Sequence, residues 1–224
     1  MDSKRMPRDS AKAVKTGKSL ATRGRILAAA RDLFNEQGTA AVSTNHIAAA
    51  AGLSPGNLYY HFSDKKQIIR GLLDEYVAEW TDRWDPSPDA QRNLETLAAG
   101  FARGARLSWE NRFFGREILA LLQADGELRA VYDAAYRRRL GEWSAFAEQL
   151  VAQGLMRAPE PPGTLADLTV AIWLISESWL GFLDVTGDPR DPAQVGRGLD
   201  LVKVVLAPYL TPAALRVLSG GTTG

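Results

Sequence analysis

Residues 54–65, SPGNLYYHFSDK, concentrate the side chains of this chain best suited to chemistry at a surface. With Pro55 as its first helical residue, a short helix turning about 100° per residue places Leu58 and Phe62 together on one apolar face, which must point inward. The opposite face then carries Gly56, Asn57 and Tyr60, with Tyr59 and His61 on the flanks. Small, amide and aromatic groups facing outward suit the major groove of a duplex. Asn57 and Tyr60 would meet base edges, and Tyr59 and His61 the flanking phosphates. Thr44, at the start of the preceding helix, and Lys65, after this one, are expected as phosphate clamps. Asn45 and Ser54 complete the expected contact set.

Other chemistries find little support. The chain has no Cys, which excludes disulfides, thiolate-ligated metals and thiol nucleophiles. Its two histidines, His46 and His61, lack the partners that a metal site or a catalytic triad needs. His46 is expected at the surface or on a phosphate. A helical enzyme built on Glu110 and Glu117 is a weak rival, with no nucleotide loop to support it. No metal, cofactor or catalytic residue is expected.

The elements that must hold this segment read as helices throughout. Ile26, Leu27, Ala30, Leu33 and Phe34 form one stripe, which Gly38 would end. Ile47, Ala48 and Ala51 mark a shorter helix stopping at Gly52, and Leu53 plugs the angle before the Ser54-Pro55 start. A longer helix carries Ile68, Ile69, Leu72, Leu73, Tyr76, Val77 and Trp80. Further helices are expected over 89–107, 111–123, 127–154, 164–185 and 192–208, separated by Gly- and Pro-bearing breaks. No alternating strand pattern or internal repeat is evident, so the expected fold is all-α.

The 224 residues, 46% hydrophobic, carry a net charge of only +1. The balance is uneven: residues 1–70 hold 12 Lys+Arg against 5 Asp+Glu, a net of +7, and the remainder nets −6. A basic end on an acidic body suggests that one end meets a polyanion. The N-terminal segment, with Lys4, Arg5, Arg8, Lys12, Lys15 and Lys18, reads as a flexible arm adding phosphate or minor-groove contacts, or as a solvated tail. It has no apolar core of a secretory signal. The least polar stretch, Leu168 to Leu183, spans 16 residues, includes Glu177 and is expected not to cross a membrane. A cytoplasmic protein is expected.

Residues from about 20 to 70 resemble the DNA-binding domain of TetR-type transcriptional regulators. The resemblance rests on Ile26 to Gly38 (ILxAAxxLFxxxG), on Thr44, Ile47 and Ala48, on AAGLSPGNLYYHF from Ala50 to Phe62, and on Lys65. The segment WENRFFGREILALLQADGELRAVYDAAYRRRL is more weakly similar to one subgroup of bodies in that family. The resemblance implies a three-helix DNA-binding head and a larger helical body for ligand binding and dimerisation. It usually also implies repression relieved by a small molecule. Two positions depart from the pattern. Thr22 is followed by Arg25 rather than by an acidic residue, so the expected cap of the first helix is missing. Asn45 and His46 fall where relatives vary, so no operator sequence carries over.

The expected organisation is an arm over 1–18, a helix-turn-helix head over 19–66, a body over 67–218 and a tail over 219–224. Within the body, Trp109, Phe113, Tyr132, Tyr136 and Trp173 are expected to line an apolar effector pocket. Most of the body's large aromatics are expected in the core by default. Glu117 and Glu177 fall among apolar residues, as edge or interface ion pairs or as an effector-orienting carboxylate. Leu168, Ile172, Ile175, Trp179 and Phe182 step by 4, 3, 4 and 3, and Val195, Leu199 and Val202 continue a similar rhythm. Paired with a second copy, these seams would form a four-helix interface. The expected protein is a homodimeric repressor on palindromic double-stranded DNA, released by a small, largely apolar effector. The alternative is a body that binds a protein partner or no effector.

Overall fold

A computed structural model of the chain describes residues 8–80 and 84–218, with side chains from residue 17 onward. Lys4, Arg5 and the 219–224 tail lie outside the described residues. Ten α-helices account for most of the described chain, in order α1 (Arg8–Gln37), α2 (Thr44–Ala50), α3 (Pro55–His61), α4 (Lys65–Glu79), α5 (Ala90–Glu110), α6 (Arg112–Ala124), α7 (Gly126–Ala152), α8 (Leu165–Thr186), α9 (Pro192–Leu206) and α10 (Pro212–Leu218). A 3-10 turn, Ala207–Tyr209, follows α9. The described residues contain no strand, only an isolated antiparallel bridge between Met156 and Leu210. The fold is all-α, as the apolar periodicity requires.

The chain divides into two compact units, 1–72 and 73–224. The boundary falls inside α4 rather than at the expected 66/67, because Ile68, Ile69 and Leu72 are buried residues of a continuous helix. The N-terminal helix also differs from expectation. It begins at Arg8, within the expected arm, and runs through residue 18 without a break. Thr22 is therefore mid-helix, its hydroxyl donating to the Lys18 carbonyl at 2.9 Å, and the missing cap concerns no helix start.

In the first unit, Ile26, Ala30 and Phe34 of α1, Ile47 of α2, Leu58 of α3 and Phe62 are all fully buried. Deletion of such a side chain costs about 2–5 kcal/mol, so the two short helices are held by packing rather than by their own propensity. Gly52, at φ 66°, supplies the left-handed residue of the turn between α2 and α3. The second unit buries Leu97, Phe101, Phe146, Leu150, Leu168, Val202 and Leu206 in one cluster. Its helices start on side-chain caps: Asp89, Asp125, Thr164 and Asp191 accept N–H bonds from the first turns of α5, α7, α8 and α9.

Helix α8 is 22 residues long, with a mean hydropathy of 1.4 over its most apolar window, enough by length and composition to cross a membrane. The 16-residue stretch seen in the sequence understates it. Here α8 packs against α6, α7 and α9 and carries Glu177 hydrogen-bonded to α7.

Candidate nucleic-acid interface and ligand cavity

Helix α3 opens on Ser54, whose hydroxyl oxygen accepts from the Asn57 amide at 3.2 Å, with Pro55 at the first helical position. Ser54 thus has a capping role in addition to any contact outside. Leu58 and Phe62 anchor the inner face at 0% exposure. Outward, Gly56, Asn57, Tyr59 and Tyr60 are all exposed, Tyr60 to 79%. The predicted separation of faces is reproduced. His61 is half-buried, its ring edge-on to Tyr60 at 5.2 Å.

Three contacts hold the segment's geometry. Thr44 Oγ1 and Tyr59 Oη lie 2.9 Å apart, joining the first residue of α2 to α3. Arg23 donates to the His61 carbonyl at 3.2 Å and lies 4.0 Å over the Phe62 ring. Lys65 Nζ donates to the Thr39 carbonyl at 2.6 Å and the Val42 carbonyl at 2.9 Å. Lys65 is therefore not the free phosphate clamp expected of it. Two of its three N–H groups hold the turn between α1 and α2. Sequence spacing places a lysine after α3 but cannot reveal carbonyls converging from 23 and 26 residues away.

The cap of α2 is not evident from the sequence. Ser43 accepts from the His46 amide at 3.2 Å, and His46 Nδ1 accepts from the Ser43 amide at 3.3 Å. His46 here occupies the place of the acid in a capping box. The Ser-x-x-His spacing is plain in the sequence, but the box is ordinarily signalled by Glu or Gln at that place. Asn45 is exposed beside it.

The second unit contains a partly open cavity of about 270 Å³. All six tryptophans of the chain line it: Trp80, Trp84, Trp109, Trp143, Trp173 and Trp179. Two glycines make room for them. A Cβ on Gly100 would overlap the Trp84 indole, and one on Gly198 the Trp179 indole. Trp179 is further fixed by its Nε1–H, which donates to the Gln194 carbonyl at 3.0 Å.

Of the five predicted lining residues, Trp109 and Trp173 reach this cavity. Phe113 does not: it is fully buried against Phe114, with ring centroids 4.1 Å apart. Tyr136 stands behind the wall, edge-on to Trp173 at 5.0 Å. Tyr132 borders a second space of about 20 Å³, which shares Glu177 with the first. Trp80, Trp84, Trp143 and Trp179 also line the wall; Trp143 is at the same time a buried member of the core, as expected, with Trp84 packed against that cluster. Their spacing marks a buried face but cannot distinguish packed atoms from empty volume.

The polar groups of the wall are few. Tyr132 Oη donates to Glu177 Oε2 at 2.9 Å, so Glu177 is in a hydrogen bond rather than in the expected edge ion pair. Burial pushes the Glu177 carboxyl above its ordinary range, opposed by the charge of Arg139 and by the Tyr132 hydrogen bond. Arg139 lies 4.3 Å over the Trp80 ring and 4.5 Å over the Trp173 ring.

Most residues of the predicted dimer seam are turned into their own chain. Leu168, Val195 and Val202 are buried within this chain, and Ile172, Trp179 and Leu199 line the cavity. Ile175 packs against the core, leaving Phe182, 59% exposed, as the one exposed member. Besides Phe182, the exposed apolar residues of α8 are Val170, Leu174 and Val185, joined by Val204 on α9. Val170, Leu174 and Val185 lie roughly 100–160° around α8 from the centre of the predicted seam. Helical period identifies an apolar stripe but cannot say whether it faces its own core or another molecule.

Comparison with known proteins follows this division. A family described as "Bacterial regulatory proteins, tetR family" matches residues 26–72, and one described as "TetR: Bacterial transcriptional repressor" matches 75–218. The HTH-type transcriptional repressor KstR2 of Rhodococcus jostii (strain RHA1) is 36% identical over 86 residues, 37% of this chain and 42% of that protein. The chain thus aligns with less than half the length of that curated relative. A TetR-family regulator from Marinobacter aquaeolei VT8 superposes with a TM-score of 0.73 at 30% identity, covering 88% of this chain and 95% of the other. PfmR of Thermus thermophilus gives 0.60 at 25%, covering 82% and 97%. The helix-turn-helix head, the helical body and the span of these matches establish that the chain belongs to the TetR family of transcriptional regulators.

Proposed function

We propose that this chain is a homodimeric repressor that reads a palindromic DNA operator and leaves it when an apolar small molecule enters the body. The observation that carries the reading is α3. It is anchored by Leu58 and Phe62 at 0% exposure while Asn57 and Tyr60 stand out on the opposite face. An amide and a phenol on a rigid short helix can bond base edges, and Thr44, Tyr59 and His61 stand where phosphates would pass. Lys65 holds the turn that presents α2 and contributes charge rather than a free ammonium.

Dimerisation supplies the second head, with recognition helices about 34 Å apart for successive major grooves. The exposed face of α8, centred on Leu174, Phe182 and Val185, supports this part of the reading. Repression is relieved by population shift: the effector binds more tightly to a conformer whose heads are wrongly spaced, since equal affinity shifts nothing. Helix α4 is suited to report occupancy, because Lys65 at its start bonds the head turn and Tyr76 near its end lines the cavity.

Selection of bound sequences from random DNA by the purified chain tests the reading. Enriched inverted repeats with half-sites about one or two turns apart are expected. Enrichment of unpaired half-sites would refute the dimer, and no enrichment would refute sequence reading.

A further inference from the structure

Three consecutive arginines on α7 have different surroundings. Arg137 pairs with Asp133 at 2.7 Å and Arg138 with Glu142 at 3.5 Å, each one helical turn away. The residues one turn from Arg139 are Ala135, Tyr136, Glu142 and Trp143, and Glu142, the one acid among them, is paired with Arg138. Its guanidinium sits in the cavity wall near the faces of Trp80, Trp173 and Tyr76, at 4.3, 4.5 and 5.9 Å from their centroids. Among the described residues no carboxylate comes within ion-pair distance of it.

Aromatic faces attract a cation but do not accept its N–H bonds as a carboxylate does. A guanidinium cannot escape the deficit by losing its proton. Glu177, the acid of the same cavity, already accepts from Tyr132, and its burial favours the neutral form. Arg139 is the one basic residue of the lining, in a wall otherwise dominated by indoles.

We infer that the occupant of this cavity is an amphipathic acid, its apolar body against the tryptophans and its carboxylate accepting N–H bonds from Arg139. This deepens the proposed effector response and rests on it. A cationic occupant is disfavoured, since it would meet the like charge of Arg139, which already covers the Trp80 and Trp173 faces. A neutral occupant leaves the guanidinium without an ion pair. The planar fork of Arg139 matches a carboxylate in two parallel bonds, which sets orientation as well as charge.

Calorimetric titration of the full chain with decanoate, 1-decanol and decylamine, and with 1-naphthoate and 1-naphthol, tests the assignment. Tryptophan emission in the alkyl series reports whether binding is at the cavity. The acid of at least one pair should bind about 10- to 100-fold more tightly than its alcohol, and the amine most weakly. Arg139→Gln should reduce the acid to the level of the alcohol while leaving the alcohol unchanged. If that variant does not fold, the wild-type ranking decides alone. Alcohols binding as well as acids would overturn the acid assignment and leave the cavity reading standing. If no compound binds, both fail together.

Discussion

Lys65→Met separates two roles that one lysine could play. In the structure its ammonium donates to the Thr39 and Val42 carbonyls at 2.6 and 2.9 Å, half-buried beneath the turn between α1 and α2. Bonds with a charged partner are worth about 1.5–3 kcal/mol each. Water can replace part of this at a half-buried site, so a net loss of about 2–3 kcal/mol is expected. For a unit of this size each kcal/mol moves the melting temperature by roughly 4–8 °C, so the head should melt on the order of 10–20 °C lower. The decisive assay combines that melt with operator affinity measured against salt. Loss of a phosphate contact lowers the slope of log K against log salt by about 0.9, whereas loss of a structural tie leaves it unchanged in the folded fraction. An unaltered melt with a slope reduced by about 0.9 would refute the structural role and restore the clamp.

Three further perturbations follow from the same contacts. Tyr60→Ala removes an exposed side chain, so the melt should stay within about 0.5 kcal/mol of wild type while operator affinity falls about 10-fold or more; unchanged affinity in a gel-shift titration would remove Tyr60 from the interface. Phe182→Asp should give folded monomers by sedimentation, and dimers that persist would place the interface elsewhere. Glu177→Gln should gain stability relative to wild type as pH rises. Burial raises the native carboxyl above its ordinary 4.5, so its contribution is complete below that value and is lost as pH climbs through the raised titration. A difference in melting temperature that does not change with pH would refute this.

The local chemistry of the head was legible before the structure. Ser54-Pro55, Gly52 and the four-residue step from Leu58 to Phe62 specify the start, turn and inner face of α3 through interactions within a few residues, and each appears as expected. Helix bounds in the body agree within about three residues for the same reason, since Asp125, Thr164 and Asp191 act on the turn that follows them. What escaped depends on distant parts of the chain. Lys65 finds its carbonyls more than twenty residues away, and Arg139 is distinguished from Arg137 and Arg138 only by its surroundings. The inward turn of most of the predicted seam on α8 has the same origin. A helix that is apolar on several faces gives one period and several candidate faces, and only packing against α6, α7 and α9 selects among them.

The tryptophan-lined cavity owes its volume partly to side chains that are missing. Four glycines border it, and they are not equivalent. Gly100 and Gly198 lie against indoles, so a methyl group there would force the wall apart. A methyl at Gly104 would meet Trp80 at 3.4 Å, an ordinary contact, and one at Gly196 would meet nothing within 4 Å. Two positions can thus be enlarged one carbon at a time without disturbing the tryptophans or any residue of the DNA-facing head. The cavity's size limit can drift by single substitutions while the recognition surface stays constant. A change in what the cavity can accept need not be accompanied by any change in the head.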